Sequence, residues 1–437
     1  MTASAVMEAS LSAVAAQAAL GAVVSLDAAT GRAGAAAADA TPAEGRGPFH
    51  GVPFLVKDLG GAARGLCAAA GSAALRRRGA VPNVDSDLIA AVRQAGCIPF
   101  GLTATPPFGL SLTSQPEGLP PARNPWSLDL TPGGSSGGAS AAVAAGIVAL
   151  AHATDAAGSI RVPAACCGLT GLKPSRGAVP GGPDYDNHLM GIVSEFVLAR
   201  SVRDVAAAYV SVCRAVPAPR MPETPRIGVA LPDRCGADQT RASVAAAEAL
   251  CDAGCAVKEC AAPDALGAEA HDLARTILAV SLADWLLSLE VPFDEVPPLA
   301  AALATEGRAC PATTLFAATR GAARLADEAA QLFAACDVLV MPVLSKAPLP
   351  AEALDLTSPD TVAHFGRMEA FAPNAALANI AGLPALALPF GLADGLPVGV
   401  QLVGPIGCDL VLLRLGQMIE DRAPPLTFPG QLAGLPA

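Results

Sequence analysis

The 437-residue sequence is short of charge, of lysine, and of tryptophan and tyrosine. Charged residues make up 15% of it, against about 25% in an average soluble domain. The net charge is −11, and the longest basic run is three arginines at residues 76–78. With two Trp and two Tyr, few rings are present on which bases could stack. A nucleic-acid-binding protein is therefore disfavoured. Only four lysines occur: Lys57, Lys173, Lys258 and Lys346.

Long hydrophobic runs are also missing, although 52% of the residues are hydrophobic. Much of that fraction is alanine. The longest apolar segment, residues 139–151, has 13 residues, whereas a membrane-spanning helix needs about 20. The first 20 residues contain no basic segment, so a secretory signal is not indicated. The composition is too apolar for a disordered chain. We expect a soluble cytoplasmic protein with an alanine-rich core and no membrane partner.

The twelve cysteines and five histidines do not show the spacing of metal ligands. Cys251, Cys255 and Cys260 are loosely spaced, and Cys166 and Cys167 are adjacent. No second cysteine pair or nearby histidine completes a zinc set. In a reducing compartment we expect the cysteines to be buried as small hydrophobic side chains. The sequence predicts neither a metal nor an organic cofactor.

Strand-like and helix-like segments alternate along the chain, which is typical of an α/β protein. The length suggests about three domains, but no linker or internal repeat separates them. The predicted strands include residues 51–59, 147–151, 226–231, 255–260, 337–341 and a late pair around 386–389 and 398–403. The predicted helices include residues 5–25, 86–95, 139–145, 240–253 and 410–420.

The segment that carries chemistry is the Gly/Ser-rich stretch of residues 131–140, followed by residues 154–163. A phosphate-binding P-loop would end in Gly-Lys-Ser/Thr, which is absent, and the dinucleotide-binding spacing also fails. Phosphate binding and a plain structural turn stay open as minor alternatives. Glycines around a serine turn backbone N–H groups toward one point, where a developing oxyanion would be stabilised. The pattern favours a serine nucleophile.

A serine nucleophile needs a base, and no local histidine suggests a His-based triad. A desolvated lysine is the other usual choice. Lys57 ends the apolar run of residues 54–56, and burial there would lower its pKa. A lysine that acts as a base near neutral pH needs a pKa about 3 units below the ordinary 10.4. This shift means that the site destabilises the ammonium form by about 4 kcal/mol. An apolar site can supply this, and a salt-bridged surface lysine is the alternative.

Taken together, the motifs resemble the amidase signature family. The resemblance covers the chain from about residue 45 to residue 420. It implies a single large α/β/α domain over residues 1–437, with a mixed, twisted central sheet covered by helices. The matching segments are residues 51–58 (GVPFLVKD), 133–138 (GGSSGG), 154–164 (TDAAGSIRVPA), 171–174 (GLKP) and 382–404.

The resemblance also implies a Ser–cisSer–Lys triad. Ser159 matches the nucleophile, Ser135 matches the proton relay whose peptide bond is cis, and Lys57 matches the base. No cofactor enters this chemistry. The implied oxyanion hole consists of the backbone N–H groups of Ala156, Ala157, Gly158 and Ser159. The implied supporting residues are Gly133, Gly134, Ser136, Asp155 and Arg161.

Three features depart from the family pattern. Ala157 stands where glycine is common, so its methyl group is expected to tighten the oxyanion pocket or alter its backbone angles. Leu102, Ala104 and Pro107 replace a lysine, an asparagine and an acid in a loop that frames the site, which predicts a more apolar site. The chain is also short within residues 215–345, which we predict to be a variable, substrate-facing region.

Residues 152–155, 163–168 and 194–204 are most similar to the branch of nylon-oligomer (aminohexanoate cyclic dimer) hydrolases. The predicted function is hydrolysis of a small-molecule amide, linear or cyclic, through a Ser159 acyl-enzyme. Carbamate (urethane) or ester hydrolysis on the same triad is an alternative. A non-catalytic homologue and an amidotransferase subunit are alternatives of another class. The oligomeric state stays open, with a homodimer as one option.

Overall fold

The computed structural model describes residues 1–183 and 188–434. The predicted domain of residues 1–437 also includes residues 184–187 and 435–437, which lie outside the described part. In the described residues, eleven strands form one mixed sheet in the order β1-β3-β2-β4-β6-β5-β10-β11-β9-β7-β8. The strands are β1 Val23–Leu26, β2 Pro53–Lys57, β3 Ile98–Thr103, β4 Leu150–Asp155, β5 Thr170–Lys173, β6 Ser194–Ala199, β7 Ile227–Ala230, β8 Val257–Cys260, β9 Val338–Pro342, β10 Ala385–Ala393 and β11 Leu396–Val403.

Fourteen α-helices accompany the sheet in the described residues and are interspersed with the strands along the chain. The predicted α/β class with one mixed sheet is therefore confirmed. The helices are α1 Ala3–Ala16, α2 Ala28–Asp39, α3 Ala73–Arg78, α4 Asp87–Gln94, α5 Gly137–Ala144, α6 Arg161–Cys167, α7 Val202–Val212, α8 Ala237–Asp252, α9 Asp264–Ser288, α10 Pro298–Ala309, α11 Ala312–Ala330, α12 Thr361–Phe371, α13 Ala375–Ile380 and α14 Asp409–Glu420.

Helices cover both faces of the sheet at the antiparallel pair β10–β11. Leu386 contacts α14 at Gly416, whereas Gly399 lies against Ala165 of α6. Leu386 is paired with Leu402, so the two side chains share a face of the sheet. Gly399 is three residues before Leu402, and because side chains alternate along a strand, it belongs to the opposite face. Both faces are therefore removed from water, which explains why the predicted late pair of strands is rich in apolar residues.

The strands that position the site lie together in the first half of the sheet. Strand β2 runs parallel to β3 and β4, and β4 is antiparallel to β6. Every residue of β2, β3 and β4 is buried. Helix α5 contains only Gly, Ala, Ser and Val, and all of its residues are buried. Its small side chains allow close approach, since a Cβ on Gly138 would lie 2.2 Å from the Ala104 nitrogen.

Two local predictions from the sequence are wrong in their boundaries. The helix predicted over residues 5–25 ends at Ala16, and Gly21, with a φ of +56°, comes before strand β1. The strand predicted over residues 147–151 begins only at Leu150 and continues to Asp155. Ile147 instead closes the end of α5, because its N–H donates to the Ala142 carbonyl.

All twelve cysteines are free thiols. The expectation that they are small buried side chains is correct for six of them. Four are half-buried, and Cys213 and Cys251 are exposed on the surface. None of the helices in residues 1–183 and 188–434 is both long enough and apolar enough to cross a membrane.

Candidate active site

Lys57 lies at the end of β2 with its side chain completely buried. Its Nζ donates hydrogen bonds to Ser135 Oγ and to Thr154 Oγ1, each over 2.7 Å. Burial lowers the pKa of Lys57 to about 7, while the carboxylates of Asp155 and Glu195 oppose that shift. Burial at the end of this apolar strand therefore makes the neutral amine accessible near neutral pH.

Ser135 lies on the loop before α5, and the peptide bond between Gly134 and Ser135 is cis. Glycine is required at 134, because a Cβ there would lie 2.5 Å from the Thr113 carbonyl oxygen. Ser114 Oγ lies 3.1 Å from the carbonyl oxygen of Gly133 and 3.3 Å from that of Ser135. The loop is therefore held by close backbone packing and by a buried hydroxyl.

Ser136 connects this loop to β4. Its hydroxyl donates to the Thr154 carbonyl over 3.2 Å and accepts from the Thr154 N–H over 3.3 Å. Thr154 also receives a hydrogen bond from Lys57, so the loop, β2 and β4 meet at one residue. The sequence prediction did not include Thr154. The motif of residues 154–164 begins with Thr154 and could have indicated it.

Ser159 lies between β4 and α6, and 7% of its surface is exposed. It opens into the same cavity as Ser135. Within residues 1–183 and 188–434, its hydroxyl makes no hydrogen bond. The structure thus brings the three predicted triad residues to one place, with Lys57 and Ser135 in direct contact and Ser159 on the same cavity wall. Hydrogen bonds of this kind are often loose until substrate is bound.

In the described part of the chain, the backbone N–H groups of Ala156, Ala157 and Ser159 make no hydrogen bond. Ala156 and Ser159 line the cavity. The N–H of Gly158, which the resemblance placed in the oxyanion hole, donates instead to Asp155 Oδ1 over 2.6 Å. The Gly158 N–H is thus engaged by the carboxylate in this structure, and the oxyanion hole stays a prediction.

Asp155 and Arg161 form a buried ion pair beneath the turn that carries Ser159. Arg161 Nε lies 3.0 Å from Asp155 Oδ2, and Arg161 Nη2 lies 3.1 Å from Oδ1. The guanidinium also donates to Asn379 Oδ1 and to the Ala375 carbonyl, each over 2.7 Å. Burial by itself raises the pKa of Asp155, but Arg161 and the Gly158 N–H outweigh it and hold the pKa at about 2.

We expect Asp155→Asn to lower the free energy of unfolding by about 3–5 kcal/mol, because it leaves the Arg161 guanidinium buried without its counter-charge. The contribution of Asp155 is present above its ordinary pKa of 3.8 and is lost as the pH falls toward 2. Urea unfolding at pH 7 measures the effect. Glu8→Gln, which breaks the exposed pair with Arg32, is the control and is expected to leave the midpoint nearly unchanged. Equal effects of the two variants would contradict the prediction.

A second buried polar pair, His152 and Glu195, lies behind Lys57 and was not predicted. The Lys57 N–H donates to His152 Nδ1 over 3.2 Å, so the proton of the neutral imidazole is on Nε2. Nε2 lies 3.4 Å from Glu195 Oε1, which also accepts from the Gly61 N–H. The pair supports the end of β2 through its backbone, and the Glu195 carboxylate favours the protonated form of Lys57.

The cavity beside Ser135 and Ser159 has a volume of about 500 Å³, including the part open to solvent. Its walls are largely apolar. Four of its side chains come from α9, within the predicted variable region of residues 215–345. The sequence did not single them out, because a helix stripe of this kind is common in any core. These four side chains are Leu278, Ser281, Leu282 and Trp285.

The departures from the family pattern are accommodated without strain. Ala157 does not adopt a left-handed backbone, and its methyl group packs against the core that includes Ile192 and Leu377. Leu102 lies in strand β3 rather than in a loop, and it is buried like Ala104 and Pro107. None of the three lines the cavity. The apolar wall on this side comes instead from the next residues along the chain: Phe108, Gly109 and Leu110.

A second lysine, Lys173, is also fully buried. Its Nζ donates to the Pro174 carbonyl over 2.7 Å. Burial lowers the pKa of Lys173 to about 7, assisted by the nearby Arg161. It does not line the cavity. In the described residues, no group of three or more His, Cys, Asp or Glu side chains is placed to hold a metal ion.

Comparison with known proteins shows the family of this chain. The amidase family model matches residues 5–279 and 300–413. The chain belongs to the amidase family. This match confirms the family that the motifs indicated, and an amidase hydrolyses carbon–nitrogen amide bonds. The chain is accordingly an amidohydrolase.

Two relatives and two solved structures show the extent of the similarity. The chain is 32% identical to 6-aminohexanoate-cyclic-dimer hydrolases of Paenarthrobacter ureafaciens, over 422 residues, and of Pseudomonas sp. strain NK87, over 433 residues. Each alignment covers 86% of this chain and 84% of the relative. The structure of a 6-aminohexanoate cyclic dimer hydrolase superposes with a TM-score of 0.87 at 29% identity, covering 97% of this chain and 94% of that one. The structure of a peptide amidase from Stenotrophomonas maltophilia superposes with a TM-score of 0.81 at 26% identity, covering 98% of this chain and 95% of that one. The resemblance to the nylon-oligomer hydrolase branch is confirmed.

Proposed function

We propose that this amidase hydrolyses a small-molecule amide through an acyl-enzyme on Ser159, with Ser135 as proton relay and Lys57 as base. One observation carries the assignment of roles. The buried Lys57 amine contacts the Ser135 hydroxyl over 2.7 Å, and Ser135 shares a cavity with Ser159. A lysine held at a pKa of about 7 is available to take a proton at neutral pH.

In the acylation half, neutral Lys57 takes a proton from Ser135 as Ser135 takes one from Ser159. Ser159 Oγ then attacks the amide carbonyl and a tetrahedral oxyanion forms. The N–H groups of Ala156, Ala157 and Ser159 stabilise its charge, which is where preorganised donors contribute most. Ser135 gives a proton to the leaving nitrogen and recovers one from Lys57, so that the carbon–nitrogen bond breaks, the amine departs and Lys57 is neutral again.

In the deacylation half, water replaces the amine. Ser135 takes a proton from water and passes one to Lys57, and the resulting hydroxide attacks the acyl carbonyl. The second oxyanion accepts hydrogen bonds from the same N–H groups. Collapse of the second tetrahedral intermediate breaks the bond to Ser159, which recovers its proton from Ser135 as Ser135 recovers one from Lys57. The acid is released and the three side chains return to their starting protonation states.

A matched panel tests the reaction and its alternatives. We expect the protein alone to release aniline from N-phenylpentanamide, measured by chromatography. Propyl N-phenylcarbamate and phenyl pentanoate have nearly the same shape and measure carbamate and ester hydrolysis. A higher kcat/KM for the carbamate would make the protein a urethanase on the same triad. Absence of hydrolysis across the panel would contradict a free-standing hydrolase and favour the non-catalytic or amidotransferase alternative.

Two further assignments complete the proposal. Residues 215–345 form the substrate-facing region, and the support is that α9 places four side chains on the cavity wall. The protein works in a reducing compartment, the cytoplasm. The support is its twelve free thiols, since such thiols persist under reducing conditions.

A further inference from the structure

We propose that this site takes neutral amides in which an apolar chain attached to the scissile bond packs against Trp285 of α9, and that it rejects amides that carry a charge on that chain. The inference rests on the proposed function, because it places the reacting carbonyl beside Ser159. It goes further by naming the chemical class of the substrate and a residue that selects it.

The first argument is the absence of charge from the cavity wall. Fifteen residues line the cavity within the described part of the chain, and none of them is Asp, Glu, Lys or Arg. Their one titratable imidazole is His188, and burial lowers its pKa to about 4, so it is neutral at pH 7. Lys57 lies behind Ser135 and Thr154 and does not reach the cavity surface. The wall that the described residues form therefore offers no counter-charge to an ammonium or carboxylate that loses its hydration on entering, which is costly.

The second argument is the aromatic wall. The Trp285 ring meets the Phe108 ring edge to face, with centroids 5.6 Å apart and an interplanar angle of 87°. It meets the His188 ring in the same way, at 5.9 Å and 80°. Three distant parts of the chain thus contribute one ring each, and the half-buried indole of Trp285 contacts the other two. Such a surface favours flat or extended apolar groups.

The third argument is the stripe that α9 presents. Leu278, Ser281, Leu282 and Trp285 are separated by three or four residues and therefore share one face of the helix. Leu287, two residues after Trp285, points elsewhere and is 51% exposed. Trp285 is the largest side chain of the stripe, so its removal should change which substrates fit. Leu287 offers a matched control on the same helix.

The first experiment compares substrates of equal length in two arms at pH 7.5. In the acyl arm, para-nitroanilides carry hexanoyl, terminal-amino hexanoyl or terminal-carboxyl pentanoyl groups. In the amine arm, benzamides carry the corresponding three chains on nitrogen. We expect the neutral member to exceed both charged members by about 100-fold in kcat/KM in at least one arm. Differences below about tenfold in both arms would overturn the inference.

The second experiment assigns the selection to Trp285. We expect Trp285→Ala to lower kcat/KM for the hexanoyl anilide by about 10- to 100-fold, while the acetyl anilide changes by less than about threefold. Leu287→Ala should change neither substrate. Equal losses for the hexanoyl and acetyl substrates would show a purely structural effect and overturn the assignment of Trp285.

The two proposals fail in different ways. If Ser159 reacts with a fluorophosphonate and the neutral amides are hydrolysed without discrimination against charge, the substrate class is wrong and the proposed function stands. If no amide in either arm is hydrolysed and Ser159 does not react, the proposed function fails, and the substrate class fails with it.

Discussion

Ser159→Ala is expected to abolish amide hydrolysis while the protein stays folded. The hydroxyl is the attacking atom in the proposed reaction, and removal of a nucleophile in a coupled triad costs about 10⁴- to 10⁶-fold in kcat. The structural cost should be small, because the Ser159 hydroxyl makes no hydrogen bond within the described residues. The free energy of unfolding should change by less than about 1 kcal/mol.

Aniline release and urea unfolding measure these two effects on the same preparation. Intact-mass analysis after treatment with a fluorophosphonate adds a direct readout, since the wild type should gain one adduct and Ser159→Ala none. Ser211→Ala on α7, whose hydroxyl bonds to the Ala207 carbonyl away from the cavity, is the control and should keep full turnover. Hydrolysis by Ser159→Ala within tenfold of wild type would refute the nucleophile assignment.

Lys57→Met is expected to lower the activity by about 10²- to 10⁴-fold, which is the usual contribution of a general base. Methionine keeps the length and burial of the side chain and removes the amine. In the wild type, kcat/KM should fall as the pH drops below about 7, because protonated Lys57 cannot accept a proton from Ser135. This acid limb should be missing from the residual activity of the variant. If kcat/KM of Lys57→Met still falls below about pH 7, the titrating group is not Lys57.

Lys57 also has a predictable effect on stability. Its pKa is about 7 in the folded protein and near the ordinary 10.5 when unfolded. Between these values the unfolded chain binds more protons, so the free energy of unfolding rises with pH by up to about 1.4 kcal/mol per pH unit. Urea unfolding at pH 7, 8 and 9 should show a smaller rise for Lys57→Met than for the wild type.

Lys173→Met is the matched control. This lysine is equally buried, and its pKa is also about 7, so its removal should flatten the same stability curve. It does not contact Ser135 or line the cavity, and turnover should stay within about tenfold of wild type. The pair of variants thus separates the stability effect of a buried lysine from its chemistry. Identical loss of activity in both would contradict the role of Lys57 as the base.

The local segments were predictable to different degrees. Strand β2 was found because a continuous apolar run ending in a charged pair is a strong signal for a buried strand. The start of β4 was misplaced by three residues, because residues 139–151 are uniformly small and apolar and show no period. The structure resolves this with a turn at Gly146, whose φ is +78°. Boundaries in such alanine-rich segments depend on tertiary packing.

The sequence by itself determined the α/β class and the family, and it predicted the roles that we propose for Lys57, Ser135 and Ser159. These depend on local features, namely glycines that allow a close backbone and an apolar strand that buries a lysine. Only the tertiary structure decided which N–H groups of the turn before Ser159 lack a hydrogen-bond partner in the described residues, and which side chains form the cavity wall. Phe108 and Trp285 meet because of how α9 lies over the site. No local pattern encodes a contact across such a long stretch of chain.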